Sequence, residues 1–305
     1  MNLRDLRYIV TVADLSHFGR AAEACSVSQP TLSGQILKLE EELGVPIFER
    51  VGRSIRVSRV GEEIVAHARR ALAAADDIVE AAQASRDPLI GSLRLGIIPT
   101  LGPYLMPFIL PEAARSMPLM PLMLVEDQTD RILDLLRDGR LDAALLATEP
   151  GEGGFMEAML FDEPFWLVMP ASHPLASRKT IASDDLDPKS LLLLSDGHCL
   201  RDQALDLCTH PELGGLVNAD MRASSLETLM HLTAAGYGVT IVPGLAVHGG
   251  RIDDRLVVRP LSGPRTSRRV RLVWRRQNAR GTALQTLATL LRSCVPDEML
   301  TLSAN

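Results

Sequence analysis

The stretch FGRAAEACSVSQPTLSGQILKLEEELGVPIFER, residues 18–50, decides the architecture of the N-terminal part of the chain. It opens with an alanine-rich segment typical of a short helix, which "SVSQP" then interrupts. Ser28 has the side chain of an N-cap, Pro30 suits the first turn of a helix, and Gly44 suits the residue after a last turn. Two helices joined by a tight turn are therefore predicted here.

A further helix is predicted before this pair, and together the three form an all-α bundle. Apolar residues recur at helical spacing near the N-terminus, namely Leu3, Leu6, Ile9, Val10 and Ala13. Ser16 is expected to cap the middle helix. The third helix should bury one apolar stripe, formed by Leu32, Ile36, Leu39 and Leu43.

The other face of the third helix carries polar side chains that suit contacts with bases and phosphates in a major groove. These candidate DNA-binding residues are Ser28, Gln29, Pro30, Thr31, Ser33, Gln35 and Lys38. Two extended stretches around "IFER" and "SIRVS" should form a β-wing, and its Arg50, Arg53 and Arg56 are expected to contact phosphate. The alternative is a solvated bundle with a charged hairpin, but the order helix, turn, helix, arginine-rich wing favours DNA binding.

The composition indicates a globular protein with a DNA-binding surface confined to one region. The chain has 305 residues, is 46% hydrophobic and has a formal net charge of −6, which argues against a general coat for nucleic acid. It shows no signal peptide and no run of about 18 apolar residues, so we expect a bacterial cytoplasmic location and no membrane contact. Four cysteines in such a chain are expected to be reduced thiols. No cofactor and no metal site are predicted.

Residues 59–86 are predicted to form one long helix that leads out of the bundle. Small and apolar residues follow each other at spacings of three and four, as in a coiled coil: Val60, Ile64, Ala68, Ala71, Ala75, Ile78 and Ala82. This seam favours pairing with a second copy, and packing on the helix's own domain is the alternative. The segment "DPLIG", residues 87–91, is then a hinge in which Pro88 stops the helix.

Beyond residue 92 the pattern alternates between strands and helices. Strands are predicted at "SLRLGIIPT", "LMLVED", "DAALLA", "SLLLLSD" and "RRVRLVWRR", with helices between them and a final helix at 281–294. Such alternation predicts an α/β region of two parallel-sheet lobes, in which ligands bind beyond the carboxyl ends of strands.

The pattern "AA…SQP.LS.QI..LE..LG…F.R" in residues 21–50 resembles the winged helix-turn-helix of LysR-type transcriptional regulators, and the resemblance covers essentially the whole chain. It implies an N-terminal winged helix-turn-helix and a two-lobed α/β effector region like that of periplasmic solute-binding proteins. The implied segments are 1–58 for DNA binding, 59–88 for linkage and dimerisation, 89–162 with 267–305 for one lobe, and 163–266 for the other. It also implies a homotetramer on promoter DNA, a contact with RNA polymerase, and no enzymatic role.

The segment "GHCLRDQALDLC", residues 197–208, places two thiols nine positions apart, a spacing that fits no common metal or redox motif. Within the LysR-type family it resembles the redox segment of the peroxide-sensing members, and "IPTLGPYLMP" and "EDQTDRIL" add two more matches. The resemblance implies that hydrogen peroxide oxidises Cys199, that Cys208 resolves the product, and that a cellular dithiol resets it. The implied peroxide pocket consists of Thr100, Thr129, His198, Asp202 and Arg268, with Arg269 as the alternative arginine.

The chemistry of this segment can be argued from the residues as well. Only a thiolate attacks peroxide, so a first-turn helical position and a nearby arginine should favour ionisation of Cys199. If residues 199–208 formed one helix, the two Cα atoms would lie roughly 14 Å apart, whereas a disulfide needs about 7 Å or less. Oxidation should therefore require local unwinding.

Other interpretations stay open. The first alternative is that Cys199 and Cys208 are inert buried thiols. For Cys25 and Cys294, in their apolar helices, inert packing is what we expect. A LysR-type regulator that binds a small metabolite between its lobes is the second interpretation. A thiol peroxidase belongs to another class, against which the DNA-binding segment argues.

Overall fold

The structure is a computed structural model that describes residues 1–51, 54–84, 89–152, 154–207, 222–248 and 252–296. It divides into two compact units, of which the first is formed mainly by Met1–Arg86 and the second by most of the remaining chain. Among the described helices none is both long and apolar enough to cross a membrane.

Three helices form the N-terminal bundle: α1 (Leu3–Leu15), α2 (Phe18–Ala24) and α3 (Gln29–Leu43). As predicted, Ser28 caps α3 through Thr31 N–H, Pro30 lies in its first turn and Gly44 ends it with φ 73°. The predicted capping role of Ser16 is wrong. His17 accepts from Arg20 N–H at the start of α2, while Ser16 takes a left-handed conformation that ends α1, because only these two residues separate the helices and each of them caps one helix.

The three helices pack around one apolar core. Leu32, Ile36 and Leu39 of α3 are buried as predicted, against Ile9 and Val12 of α1 and its neighbours. Leu43 is the exception in the predicted stripe, since it is 39% exposed. It occupies the last turn of α3, where the chain leaves the bundle through Gly44.

The wing and the long helix follow directly. Strands β1 (Phe48–Val51) and β2 (Ser54–Val57) pair antiparallel, as predicted. Helix α4 (Arg59–Ala84) begins close to Ile47, the residue before β1. Glycine at position 61 permits this close approach, because a Cβ there would lie 2.2 Å from the Ile47 carbonyl oxygen. Residues Val65 and Ala68 of α4 pack in the bundle core, whereas Ile78 is 72% exposed.

Packing of α4 on its own unit is confirmed for its first part, and pairing with a second copy stays a prediction. Its first turns pack on their own unit, and its later turns present an uncovered apolar side chain that a second copy could cover. Asp87 and Pro88 of the predicted hinge lie outside the described residues.

The second unit begins with two crossover connections. Strand β3 (Leu93–Ile97), helix α5 (Gly102–Ser116), strand β4 (Leu122–Glu126), helix α6 (Thr129–Arg137) and strand β5 (Ala143–Leu146) alternate as predicted. Strand β3 pairs parallel with both β4 and β5, because each connecting helix returns the chain to the same end of the sheet. Arg280 fixes the start of this unit by donating to the carbonyls of Ile90, Gly91 and Ser92.

The remaining elements complete the unit. They are β6 (Phe155–Pro170), β7 (Ile181–Ala182), β8 (Leu193–Leu194), α7 (Cys199–Asp206), β9 (Arg222–Ala223), α8 (Leu226–Ala234), β10 (Thr240–Pro243), α9 (Gly244–His248), β11 (Leu256–Ser262), β12 (Ser267–Arg275) and α10 (Gly281–Cys294). The final helix matches its predicted range of 281–294. The main sheet has the order β4-β3-β5-β12-β6-β11-β7, and β10 also pairs with β6.

The predicted α/β region is confirmed, but the expectation that its sheets are parallel is wrong, because this sheet is mixed. The 16-residue strand β6 runs antiparallel to β12, β11 and β10. Strands β11 and β12 follow one another along β6, β11 opposite its second half and β12 opposite its first half, and both run against its direction. The helical crossovers that give parallel pairs are found instead among β3, β4 and β5. The long strand β6 thereby links the part of the sheet that holds β3, β4 and β5 to the part that holds β10 and β11.

Candidate functional site

Cys199 is the first residue of α7, as its position after "SDG" predicted. Gly197 precedes it with φ +91°, a conformation that favours glycine, and His198 occupies the N-cap position. Gln203 ties the helix to the end of β5 by donating to the Ala147 carbonyl at 2.9 Å. The thiol is thus half-buried at a helix N-terminus, where backbone N–H groups stabilise negative charge.

Arg268, on β12, is buried and holds Thr100 from two sides. Its Nη1 donates to Thr100 Oγ1 at 2.8 Å, and its Nη2 donates to the Thr100 carbonyl at 2.9 Å. Arg269 points the other way, is half-exposed and pairs with Asp162. The alternation of side chains along β12 therefore brings Arg268, and not Arg269, to this site.

A small pocket joins these side chains, with about 170 Å³ of empty space and no room for a water-sized sphere. Its walls are Ile98, Pro99, Thr100, Gln128, Thr129, Gly197, His198 and Cys199. Thr100 follows β3 and Thr129 follows β4, so both lie beyond the carboxyl ends of parallel strands, where binding sites of α/β sheets occur. The site is therefore formed by two strand ends and the start of α7.

Thr129 carries a hydroxyl without a full set of partners. Its Oγ1 is buried and, among the described residues, has no hydrogen-bond partner of good geometry. It nevertheless lies near enough to the sulfur of Cys199 to lower the pKa of that thiol. A buried hydroxyl in this state is costly unless a thiolate or a ligand completes its hydrogen bonding.

The ionisation of Cys199 differs from the sequence-based expectation. Burial raises the pKa of the Cys199 thiol, and this effect outweighs the charge of Arg268, the Thr129 hydroxyl and the Leu200 N–H, each of which lowers it. The helix N-terminus and Arg268 lower the pKa of Cys199 as expected, but desolvation of the thiolate raises the pKa by more. Burial also lowers the pKa of His198, which keeps its imidazole neutral near pH 7.

Asp202 is not brought into the pocket with the other predicted residues. Its side chain is 78% exposed and lies 3.4 Å from Arg201 Nη1, and its charge raises the pKa of Cys199 from outside. This carboxylate remains at the surface because burying its charge would be costly. Arg201 and Arg222 both pair with Asp196, which ties the segment before α7 to β9.

The other cysteines are distributed over the chain. Cys208, the predicted resolving residue, lies outside the described residues. Cys25 follows α2 and packs against the bundle core, and Cys294 ends α10 against the core of the second unit. Both are half-buried in apolar surroundings, in keeping with packing positions.

The candidate DNA-binding surface lies on the first unit. Ser28, Gln29, Pro30, Thr31 and Lys38 are exposed on α3 and at its N-cap, and Ser33 and Gln35 are half-exposed on the same helix. Arg56 is exposed on β2 of the wing. Arg53 and the side chain of Arg50 lie outside the described part of the wing.

Two residues at the site were not singled out from the sequence. Glu163, on β6, pairs with Arg268 at 2.8 Å, and both side chains are fully buried. Gln128 lines the pocket beside Thr129. Gln128 could have been found in the segment "EDQTDRIL", but Glu163 is 105 positions from its partner in sequence and gave no local signal.

Comparison with protein families defines the class of protein. Residues 3–62 match the bacterial regulatory helix-turn-helix protein, lysR family, and residues 86–294 match the LysR substrate binding domain. The chain belongs to the LysR family of bacterial transcriptional regulators.

Within that family the chain is similar to proteins named for peroxide response. It is 42% identical over 304 residues to the hydrogen peroxide-inducible genes activator of Dickeya chrysanthemi, with 100% of this chain and 99% of the relative covered. It is 42% identical to the DNA-binding transcriptional dual regulator OxyR of Escherichia coli strain K12, over 96% of this chain and 95% of the relative. The structure of full-length OxyR C199D from Pseudomonas aeruginosa matches with TM-score 0.80, 44% identity and coverage of 96% and 95%.

Proposed function

We propose that this regulator senses hydrogen peroxide through Cys199 and reports it through its winged helix-turn-helix on promoter DNA. The observation that carries the proposal is the small pocket in which the Cys199 thiol meets the Thr129 hydroxyl and the Thr100 side chain held by Arg268. Full-length relatives named hydrogen peroxide-inducible genes activators support the same assignment. The protein is a regulator and not an enzyme.

The first chemical step takes place within this pocket. The Cys199 thiolate attacks one peroxide oxygen, an S–O bond forms, and the O–O bond breaks. Sulfur is oxidised to a sulfenic acid, while the other oxygen is reduced and leaves as hydroxide. That hydroxide takes the proton that Cys199 gave up, relayed through the Thr129 hydroxyl, and departs as water. Donors from Thr100 stabilise the negative charge on the leaving oxygen.

Disulfide formation with Cys208 then requires a change of conformation. Leu207 follows Cys199 by eight positions, and in a helix this separates their Cα atoms by about 12 Å. One further residue can change that distance by at most about 3.8 Å. An intact α7 therefore keeps position 208 at least about 8 Å from Cys199, beyond the roughly 7 Å limit for a disulfide. The second step, in which the Cys208 thiol displaces water from the sulfenic acid, unwinds α7 and couples oxidation to structure.

The output is a change in the assembly on promoter DNA in the bacterial cytoplasm. Two kinds of interface, one along α4 and one in the second unit, give a homotetramer of four DNA-binding heads. The exposed Ile78 on α4 supports the first interface. The oxidised tetramer contacts RNA polymerase, and a cellular dithiol returns two electrons and two protons to the disulfide to reset it.

Mass spectrometry after mild peroxide tests the thiol chemistry. We expect an intramolecular disulfide between Cys199 and Cys208, no response in Cys199→Ser, and a trappable sulfenic acid in Cys208→Ser. A Cys199→Ser protein that still switches with peroxide would overturn the proposal. Equal DNA binding with and without peroxide, but a response to a metabolite, would favour the metabolite-binding alternative. Multiple turnover with a reductant at enzymatic rates would favour a thiol peroxidase.

Footprinting of one promoter by the reduced and the oxidised protein tests the output. We expect oxidation to change the length of the footprint or the bending of DNA, while light scattering reports a tetramer in both states. Identical footprints and bend angles in both states would contradict this part of the proposal.

A further inference from the structure

The buried pair between Glu163 and Arg268 lies directly behind the peroxide pocket. The two residues are opposite each other on the antiparallel strands β6 and β12, and neither side chain is exposed to solvent. We propose that Glu163 is a positioning residue for the peroxide reaction, which acts through Arg268 to orient the Thr100 hydroxyl toward the bound peroxide. This inference rests on the proposed function.

Each atom of the carboxylate has a defined partner. Glu163 Oε2 accepts from Arg268 Nε at 2.8 Å, and Glu163 Oε1 accepts from Leu245 N–H at 2.9 Å, at the start of α9. The carboxylate is thus held between a strand and a helix N-terminus, and it cannot rotate without losing one of the two bonds. In turn it fixes the plane of the guanidinium, because the Nε position of an arginine is rigidly connected to its two terminal nitrogens.

The guanidinium then determines which way the Thr100 hydroxyl can donate. Thr100 Oγ1 accepts from Arg268 Nη1 at 2.8 Å, so its own hydrogen points away from the arginine. Thr100 also lines the pocket that contains Cys199. Its hydroxyl hydrogen is therefore available to a peroxide oxygen in this pocket, where it would stabilise the negative charge that develops as the O–O bond breaks.

The charge of Glu163 is needed to keep this arrangement buried. An unpaired guanidinium in the interior would be strongly destabilising, and it would move toward solvent or change its partners. In Glu163→Gln one oxygen of the carboxylate becomes an NH₂ group, which faces either Arg268 Nε–H or Leu245 N–H as a second donor. The side chain keeps its size but can no longer hold both partners, so Arg268 and the Thr100 hydroxyl lose their fixed geometry.

Asp162 and Arg269 provide a matched control. They form the neighbouring pair on the same two strands, with Arg269 Nε 2.7 Å from Asp162 Oδ1, but both side chains are half-exposed. Asp162→Asn therefore removes an acidic partner of an arginine from the same strands without touching the pocket.

The experiment compares two reagents that both require the thiolate of Cys199. Full-length reduced proteins are treated with hydrogen peroxide or with iodoacetamide, and modification of Cys199 is followed by quenched-flow mass spectrometry. A purely structural role of Glu163 would change the thiolate fraction of Cys199 or its general exposure, and both changes would affect the two rate constants alike. The ratio of the peroxide rate constant to the iodoacetamide rate constant therefore does not respond to them. Displacing a group in an active site by about 1 Å can lower a reaction rate on the order of a hundredfold. We therefore expect the ratio of peroxide to iodoacetamide rate constants to fall roughly tenfold in Glu163→Gln.

A second variant and the wild type make each outcome decisive. Glu163→Asp keeps the charge but shortens the side chain by one methylene. Its ratio of peroxide to iodoacetamide rate constants should therefore lie between that of the wild type and that of Glu163→Gln. The control Asp162→Asn should have the wild-type ratio. Ratios equal to wild type in both Glu163 variants would overturn the inference. If wild-type Cys199 itself reacted with peroxide no faster than Cys25 and Cys294, the proposed function would fail first.

Discussion

The side chain of Gln128 lies directly against the backbone of Gly197, two residues before the reactive thiol. A Cβ added at Gly197 would meet Gln128 Oε1 at 2.3 Å, and Gln128 Nε2 donates to the Asp196 carbonyl at 3.2 Å. Gln128 thus connects the end of β4 to the turn that begins α7 and helps to close the pocket over Cys199.

Gly197→Ala should destabilise the reduced conformation of this turn. The substitution adds a backbone strain of about 1–3 kcal/mol at positive φ and also displaces Gln128. Gly91→Ala is the matched control, because Gly91 has the same φ of +91° with open space around its α-carbon. We expect Gly197→Ala, compared with Gly91→Ala, to show a larger oxidised fraction at a fixed ratio of reduced to oxidised glutathione. Equal fractions would mean that Gln128 does not stabilise the reduced turn.

Thr129→Val should separate reactivity from stability. The change replaces a buried hydroxyl without good partners by a methyl group of similar size, so the free energy of unfolding should stay constant or increase. The rate of peroxide oxidation of Cys199 should fall by roughly tenfold or more, because the proton relay is lost. Thr282→Val, at an exposed first-turn position of α10, is the control and should change neither. A peroxide rate that survives in Thr129→Val would remove this residue from the mechanism.

The reaction of Cys199 with peroxide should accelerate steadily with pH. Burial places the pKa of the thiol above its ordinary value, so the thiolate is the minor form at neutral pH and its fraction rises about tenfold for each pH unit below that pKa. Burial lowers the pKa of His198 below its ordinary value, so its imidazole is neutral above pH 7 and should add no second inflection there. Stopped-time alkylation and peroxide assays between pH 6 and 8 measure this slope. A rate that is constant over that interval would indicate a low pKa instead.

The two parts of the DNA-binding surface should respond differently to substitution. Arg56→Ala removes a wing charge, so binding should weaken on all sequences alike, with the salt dependence reduced by about one phosphate contact. Gln29→Ala removes an exposed side chain at the first position of α3 and should change base preference. Fluorescence anisotropy on matched operators at several salt concentrations distinguishes the two. Binding that neither change affects would exclude this face of the bundle.

The sequence predicted those features that depend on neighbours in the chain. Caps and helix ends such as Ser28 and Gly44 were predicted correctly because a cap contacts residues within one turn. The mixed sheet was not predicted, since the pairing of β6 with β12 joins residues more than 100 positions apart. The pKa of Cys199 was misjudged for a similar reason, because helix position is visible in the sequence while burial is a property of the whole fold.

The tight packing of the pocket has a consequence for how readily the protein responds to peroxide. Its empty space admits no water-sized sphere, and burial keeps most of the thiol protonated near pH 7. Peroxide therefore oxidises Cys199 only when the walls around the sulfur widen and the sulfur is ionised. These two conditions multiply, so packing around Cys199 and ionisation of its thiol together set the peroxide concentration at which the regulator responds.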